Sequence, residues 1–154
     1  TAGLIAAACR MGAMLADAAE AQQDALFRFG HHLGIAFQVA DDTLDYTANG
    51  ENLGKALGQD LRQGKATLPL LHLLHHCSEQ DRLMILDRME TRTLTEEDLG
   101  RFIHMMEELG SITYAMDRAR SYVAAAQRDL DQFEDSTAKR ALSVTADYMV
   151  TRDR

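Results

Sequence analysis

The chain is poor in residues that interrupt, cross-link or insulate a fold. It has one proline and ten glycines in 154 residues, with 46% apolar and 26% charged positions. That balance excludes collagen-like, low-complexity and disordered classes. Its two cysteines, Cys9 and Cys77, make no disulfide framework; they point to thiols in a reducing compartment, with a cytoplasmic location expected. No apolar run approaches the roughly 18 to 20 residues that span a bilayer, so a soluble chain without a transmembrane segment is expected. Basic residues are in deficit, 16 against 24 acidic ones for a net charge of −8, which excludes binding nucleic acid through phosphate neutralisation. An initiator methionine is missing as well. Thr1 leads straight into apolar helical sequence, with no signal-peptide pattern and no capping residue, and the expectation is a piece of a longer protein.

No strict apolar/polar alternation persists over strand length, whereas Ala, Leu, Met, Glu, Gln and Arg dominate. The periodicity predicts an all-α chain, in one domain, with helices over residues 2–18, 22–45, 67–77, 79–91, 95–109, 112–133 and 137–151. Ser78 and Thr95 each precede first-turn acids, the pattern of a hydroxyl N-cap assisted by the helix dipole. Gly110 reads as the end of one helix and Ser111 as the N-cap of the next, and Pro69 suits a first helical turn. Between them, residues 47–66 break the pattern. Gly50, Gly54, Gly58 and Gly64 alternate there with Lys55, Arg62 and Lys65, in a connection long enough to be functional.

That segment follows the densest acid cluster, Asp41, Asp42 and Asp45. On a helix, Asp41 and Asp45 share a face, with Gln38 one turn earlier. Apolar neighbours predict partial burial, which would raise the carboxyl pKa values unless a partner neutralises them. Mg²⁺ is such a partner, since it takes one or two carboxylates and fills its octahedron with water and phosphate oxygens. The adjacent lysines and glycines suit a phosphate. Spacing alone leaves a solvated acidic helix end open, and such ends are the commoner case. An EF-hand beginning at Asp45 fails at Thr47 and Ala56.

The run Gly34-Ile-Ala-Phe-Gln-Val-Ala-Asp-Asp-Thr-Leu-Asp-Tyr46, followed by Leu53-Gly-Lys55, Gly58-Gln-Asp-Leu61 and Gly64-Lys-Ala-Thr-Leu-Pro69, resembles the second aspartate-rich region of the trans-isoprenyl diphosphate synthases, the polyprenyl synthetase family. Thr1-Ala-Gly-Leu4 resembles the tail of that family's Lys-Thr-Ala-x-Leu motif, and Arg152-Asp-Arg154 its basic end. The resemblance covers residues 1–154 but only the C-terminal half of a family protein. It implies an all-α isoprenoid synthase helical bundle, here in part, that condenses an allylic diphosphate with isopentenyl diphosphate in a Mg²⁺-dependent prenyl transfer. It further implies Asp41 as principal metal ligand, Asp42 and Asp45 as supporting metal acids, and Gln38 as an amide near the reacting carbons. Lys55, Lys65 and Thr1 then belong on the diphosphate.

The family's first aspartate-rich motif has no counterpart, because Asp17 precedes two alanines and Asp24 stands alone. The isolated chain is therefore expected to lack prenyl transfer, and to need either the N-terminal half of a synthase or self-association to cover apolar surface. A non-catalytic helical subunit that assembles with another chain is the competing reading. The histidines at 72, 75 and 76 lack a completing ligand set and read as partly exposed residues of an amphipathic helix, as do His31 and His32. Cys9 beside Arg10 reads as a small buried residue rather than an activated thiol.

Overall fold

The computed structural model describes residues 1–47 and 57–151. Among these the regular elements are all helical: α1 Ala2–Leu15, α2 Glu20–Thr47, α3 Gln59–Arg62, α4 Leu68–His76, α5 Glu79–Thr91, α6 Glu96–Glu108, α7 Ser111–Asp129 and α8 Thr137–Thr151. They divide into two compact units, one of Thr1–Ala40 with the chain from Asp117 onward, the other of Asp41–Met116.

The first unit holds α1, most of α2, and α8 with the greater part of α7. Its core joins Phe29 and Leu33 of α2 to Val123, Ala126 and Leu130 at α7 and Ala146 of α8. Small residues let α1 and α2 approach closely. A Cβ at Gly34 would lie 2.5 Å from the Ala2 Cα, and one at Gly30 2.8 Å from the Ala6 Cα. Polar ties close the unit: Asp129 accepts from Arg28 Nε at 3.0 Å and pairs with His32 Nδ1 at 2.8 Å, while Gln127 Nε2 donates to Asp147 at 2.8 Å.

The second unit packs larger side chains. Leu99, Phe102, Ile103 and Met106 recur at i, i+3, i+4 and i+7 along α6, which directs one apolar stripe inward. They meet Leu70 and Leu73 of α4, Ile85 of α5, Leu61 of α3 and Tyr46 of α2 in one cluster. Two helix starts, those of α5 and α6, carry the expected chemistry. The Ser78 hydroxyl accepts from the Asp81 N–H, and Thr95 and Asp98 form a reciprocal capping box.

Boundaries differ from the periodicity where the last turns tighten. α1 stops at Leu15 because Asp17 adopts a left-handed φ of 50°, and α7 stops at Asp129, where i→i+3 bonds from Leu130 and Asp131 take over. Thr1 does stand at the N-cap position of α1, without a side-chain cap bond. Ser111 is not a cap. It lies inside α7, fully buried, and its hydroxyl pairs with His72 Nδ1 at 3.0 Å. The glycine before it has φ 68°, as a helix-ending glycine requires.

Candidate functional site

The site is assembled around the last turn of α2. Asp41, Asp42 and Asp45 are all half-buried, as their apolar neighbours predict. Asp45 is anchored twice to the chain arriving fifteen residues later. Its carboxylate Oδ2 accepts the Asp60 N–H at 2.8 Å, and its main-chain carbonyl accepts the Gly58 N–H at 2.9 Å. Gly58 can serve there because it adopts φ 68°, and a Cβ at that position would run into the Leu99 side chain.

Asp60 carries the arrangement onward. Its Oδ1 holds Lys65 Nζ at 2.5 Å, and its carbonyl accepts the Lys65 N–H at 2.9 Å across a turn that Gly64 closes at φ 73°. The hydrogen bond and charge of Asp60, reinforced by Asp42 and Asp45, push the Lys65 ammonium pKa up, so it is a permanent cation at neutral pH. Two residues further, the Thr67 hydroxyl pairs with the Tyr46 hydroxyl at 2.6 Å, both side chains being buried. Burial foremost, and the carboxylates of Asp45, Asp60 and Asp42 after it, push the phenol pKa up against the opposing pull of the Thr67 bond; Tyr46 is therefore a neutral strut.

The structure thus brings Asp45 and Lys65 together through Asp60, with Asp42 close enough to act on Lys65 electrostatically. In the other unit it brings Thr1 to Gln38, the threonine hydroxyl donating to the amide Oε1 at 3.2 Å. Lys55 and the basic residues 152 and 154 lie outside the described residues. Asp60, Tyr46 and Thr67 were not singled out as site residues from sequence. Their signal was present in the Gly58–Leu61 and Gly64–Pro69 submotifs, but nothing local reveals a bond spanning 15 or 21 residues.

Among the described residues no group of three or more His, Cys, Asp or Glu side chains is arranged to hold a metal by itself. The histidines of α4 serve packing: the His72 ring stacks on His76 at 4.0 Å and on Tyr114 at 4.4 Å. His72 is half-buried by these contacts, and His32 by its pairing with Asp129, so neither is merely a surface residue. Burial pushes the Cys9 thiol pKa up, which agrees with a packing role.

Residues 1–106 match the family model described as Polyprenyl synthetase. The chain belongs to the polyprenyl synthetase family. Among curated relatives, the octaprenyl diphosphate synthase of Haemophilus influenzae is 39% identical over 153 residues, covering 99% of this chain and 46% of that protein. Component 2 of the heptaprenyl diphosphate synthase of Bacillus subtilis is 34% identical over 99% of this chain and 42% of its own. The crystal structure of a polyprenyl synthase from Caulobacter crescentus, in complex with calcium and isoprenyl diphosphate, superposes with a TM-score of 0.89 at 37% identity. That match covers 97% of this chain and 45% of the Caulobacter protein. A decaprenyl diphosphate synthase from Rhodobacter capsulatus gives 0.91 at 32% identity, over 100% and 47% of the two chains. The fold is the helical isoprenoid synthase fold, and the chain spans about half the length of the curated relatives it matches. No helix among the described residues is long and apolar enough to cross a membrane.

Proposed function

We propose that this chain is the C-terminal, second-acid-motif portion of a prenyltransferase that condenses an allylic diphosphate with isopentenyl diphosphate. The observation that supports this best is the linkage of the acid-bearing end of α2 to Lys65 through Asp60, inside the segment that matches the family. A diphosphate needs both kinds of group at once. That relatives are themselves diphosphate synthases favours an enzyme part over a non-catalytic helical subunit.

The donor set fits Mg²⁺. Asp41, Asp42 and Asp45 offer the hard carboxylate oxygens that Mg²⁺ takes alongside water and phosphate oxygens. When bound, the metal would neutralise charge developing on the departing diphosphate. The chain's own contributions are separable. Asp41 and Asp42 would hold the ion, with Asp45 kept in orientation by the Asp60 N–H. Lys65, held charged by Asp60, would stabilise the leaving diphosphate, with Lys55 as a second cation and Thr1 as a hydroxyl contact. Gln38 would present its amide toward the reacting carbons, an orientation that the Thr1 hydroxyl bond restrains.

The test is coexpression with the complementary part of a related synthase, assayed with Mg²⁺ and both diphosphates. Activity should appear in the assembled pair and be absent from the 154-residue chain alone. Asp41→Ala should lower it at least about a hundredfold, the scale of losing one electrostatic stabiliser of developing charge. Undiminished turnover in that variant, or robust turnover by the chain alone, would overturn the assignment.

A further inference from the structure

The Lys65 side chain is 56% exposed, and an ion pair at the surface, such as the one it makes with Asp60, imposes little order by itself. Its main chain, by contrast, is held from both sides. The Lys65 N–H donates to the Asp60 carbonyl at 2.9 Å, and the Lys65 carbonyl accepts the Thr67 N–H at 3.1 Å. Each of those two neighbours is tied back to the end of α2, Asp60 through its N–H to the Asp45 carboxylate and Thr67 through its hydroxyl to Tyr46. Asp45 and Tyr46 are consecutive, so the bonds close a ring that runs through Asp60, Lys65 and Thr67 and returns to α2. The two ties differ in kind. The first uses a carboxylate of the acid cluster, whereas the second joins two uncharged hydroxyls 2.6 Å apart, on residues only 1% and 4% exposed. Thr67 also stands at the N-cap of α4, where a hydroxyl ordinarily accepts from an N–H of its own helix. It makes no such bond; the hydroxyl is directed instead to Tyr46, 21 residues away.

We propose that Tyr46 and Thr67 are positioning residues for diphosphate recognition. Their buried hydrogen bond fixes the Lys65 main chain against the acid end of α2, and so sets the distance between the cationic and acidic sides of the site. The inference rests on the reading of Lys65 as a diphosphate contact. Both hydroxyls act through Lys65 rather than on the substrate, which makes them positioning and not catalytic residues. A diphosphate has to meet the ammonium and the acid-held cation together, so the spacing between them matters as much as their charge. Removing either hydroxyl leaves the carboxylates and the ammonium chemically intact and loosens only their placement. A loss of that kind weakens the grip on substrate and on transition state alike, and it registers in KM rather than in kcat.

The test compares Tyr46→Phe, Thr67→Val, Thr67→Ser and Ser111→Ala with the parent, each checked for parental helical circular dichroism. Ser111→Ala is the control for stability, because it removes a buried hydroxyl that pairs with His72 of the same α4. In the 154-residue chain alone, amide hydrogen exchange is read at Lys65 against Phe102 of α6 as an internal reference. Tyr46→Phe and Thr67→Val should lower the protection of Lys65 relative to Phe102 by about tenfold, while Thr67→Ser and Ser111→Ala keep it. In the chain coexpressed with the complementary part of a related synthase, the first two variants should raise KM for the allylic diphosphate about tenfold and leave kcat within about twofold. Thr67→Ser, which retains the hydroxyl, should restore the parent's KM, and Ser111→Ala should not alter it. Unchanged Lys65 protection in Tyr46→Phe would overturn the proposal, as would an unchanged KM or an equal rise in KM in Ser111→Ala. If the parent pair is inactive, or Asp41→Ala leaves its turnover undiminished, the functional reading fails instead, and the exchange measurement by itself decides whether Tyr46 and Thr67 hold Lys65.

Discussion

The two units bury different kinds of side chain. In the first, the buried apolar residues are mostly alanines, with Ala6, Ala25, Ala36, Ala119 and Ala126 fully shielded, and the largest apolar groups of α1 face outward. In the second, leucines, Ile85, Phe102 and Met106 are inside. A core of large side chains gains stability from area removed from water, roughly 25 cal/mol per Å². An alanine core gains less in that way and depends on helices lying close enough for backbone to touch backbone. The second unit therefore draws more of its stability from buried area, and the first more from close helix contact.

The contrast can be broken from either side. Phe102→Ala should cost about 3–5 kcal/mol, the range for a fully buried phenylalanine, read as a lowered midpoint in chemical unfolding. The first unit offers few such truncations, so its weakness is enlargement. Gly34→Leu would place a Cβ into the Ala2 backbone and should cost about 1–3 kcal/mol; an unchanged midpoint would mean that α1 does not pack there. At the acid end of α2, Tyr46→Phe removes one oxygen and strands the buried Thr67 hydroxyl, for about 1–3 kcal/mol in the same measurement. That loss should vanish in the double variant with Thr67→Val if the two hydroxyls act as a pair.

The smallest effect is one of pH. Burial first, then the neighbouring His76 and His75, hold the His72 imidazole below its ordinary range. The unfolded chain takes up its proton near pH 6.5, earlier than the native ring does. The neutral ring's contribution is thus complete above about pH 6.5 and shrinks as pH falls from there toward the native value. Replacing His72 with Gln should flatten the decline in thermal midpoint between about pH 7 and 5.5, and an unaltered slope would remove His72 from the account.

Local signals were legible in the sequence and distant ones were not. Ser78 and Thr95 announce their helices because a capping hydroxyl and the N–H that donates to it lie within three residues. The α6 stripe is legible for the same reason, since its period repeats within the helix. Ser111 misleads because its partner, His72, is 39 residues away, and a buried hydroxyl answers to the nearest polar atom in space. α3 has four residues and no period of its own; it exists because Gly58 and Gly64 turn the chain on either side. At the candidate site, residue types and spacing made candidates of the acids and Lys65. The part played by Asp60 as their link required the fold.

The hydrogen bond from the Asp60 amide to the Asp45 carboxylate makes one backbone proton a native reporter of the site. It is spectroscopically distinct in principle, because a charged acceptor polarises an N–H more strongly than a neutral carbonyl does. An isotopically labelled chain should show this resonance displaced downfield and slow to exchange with deuterium. A divalent cation drawing on Asp45 would weaken that polarisation and move the signal back. Occupancy of the acid cluster could then be followed at a single atom, without substrate and without turnover.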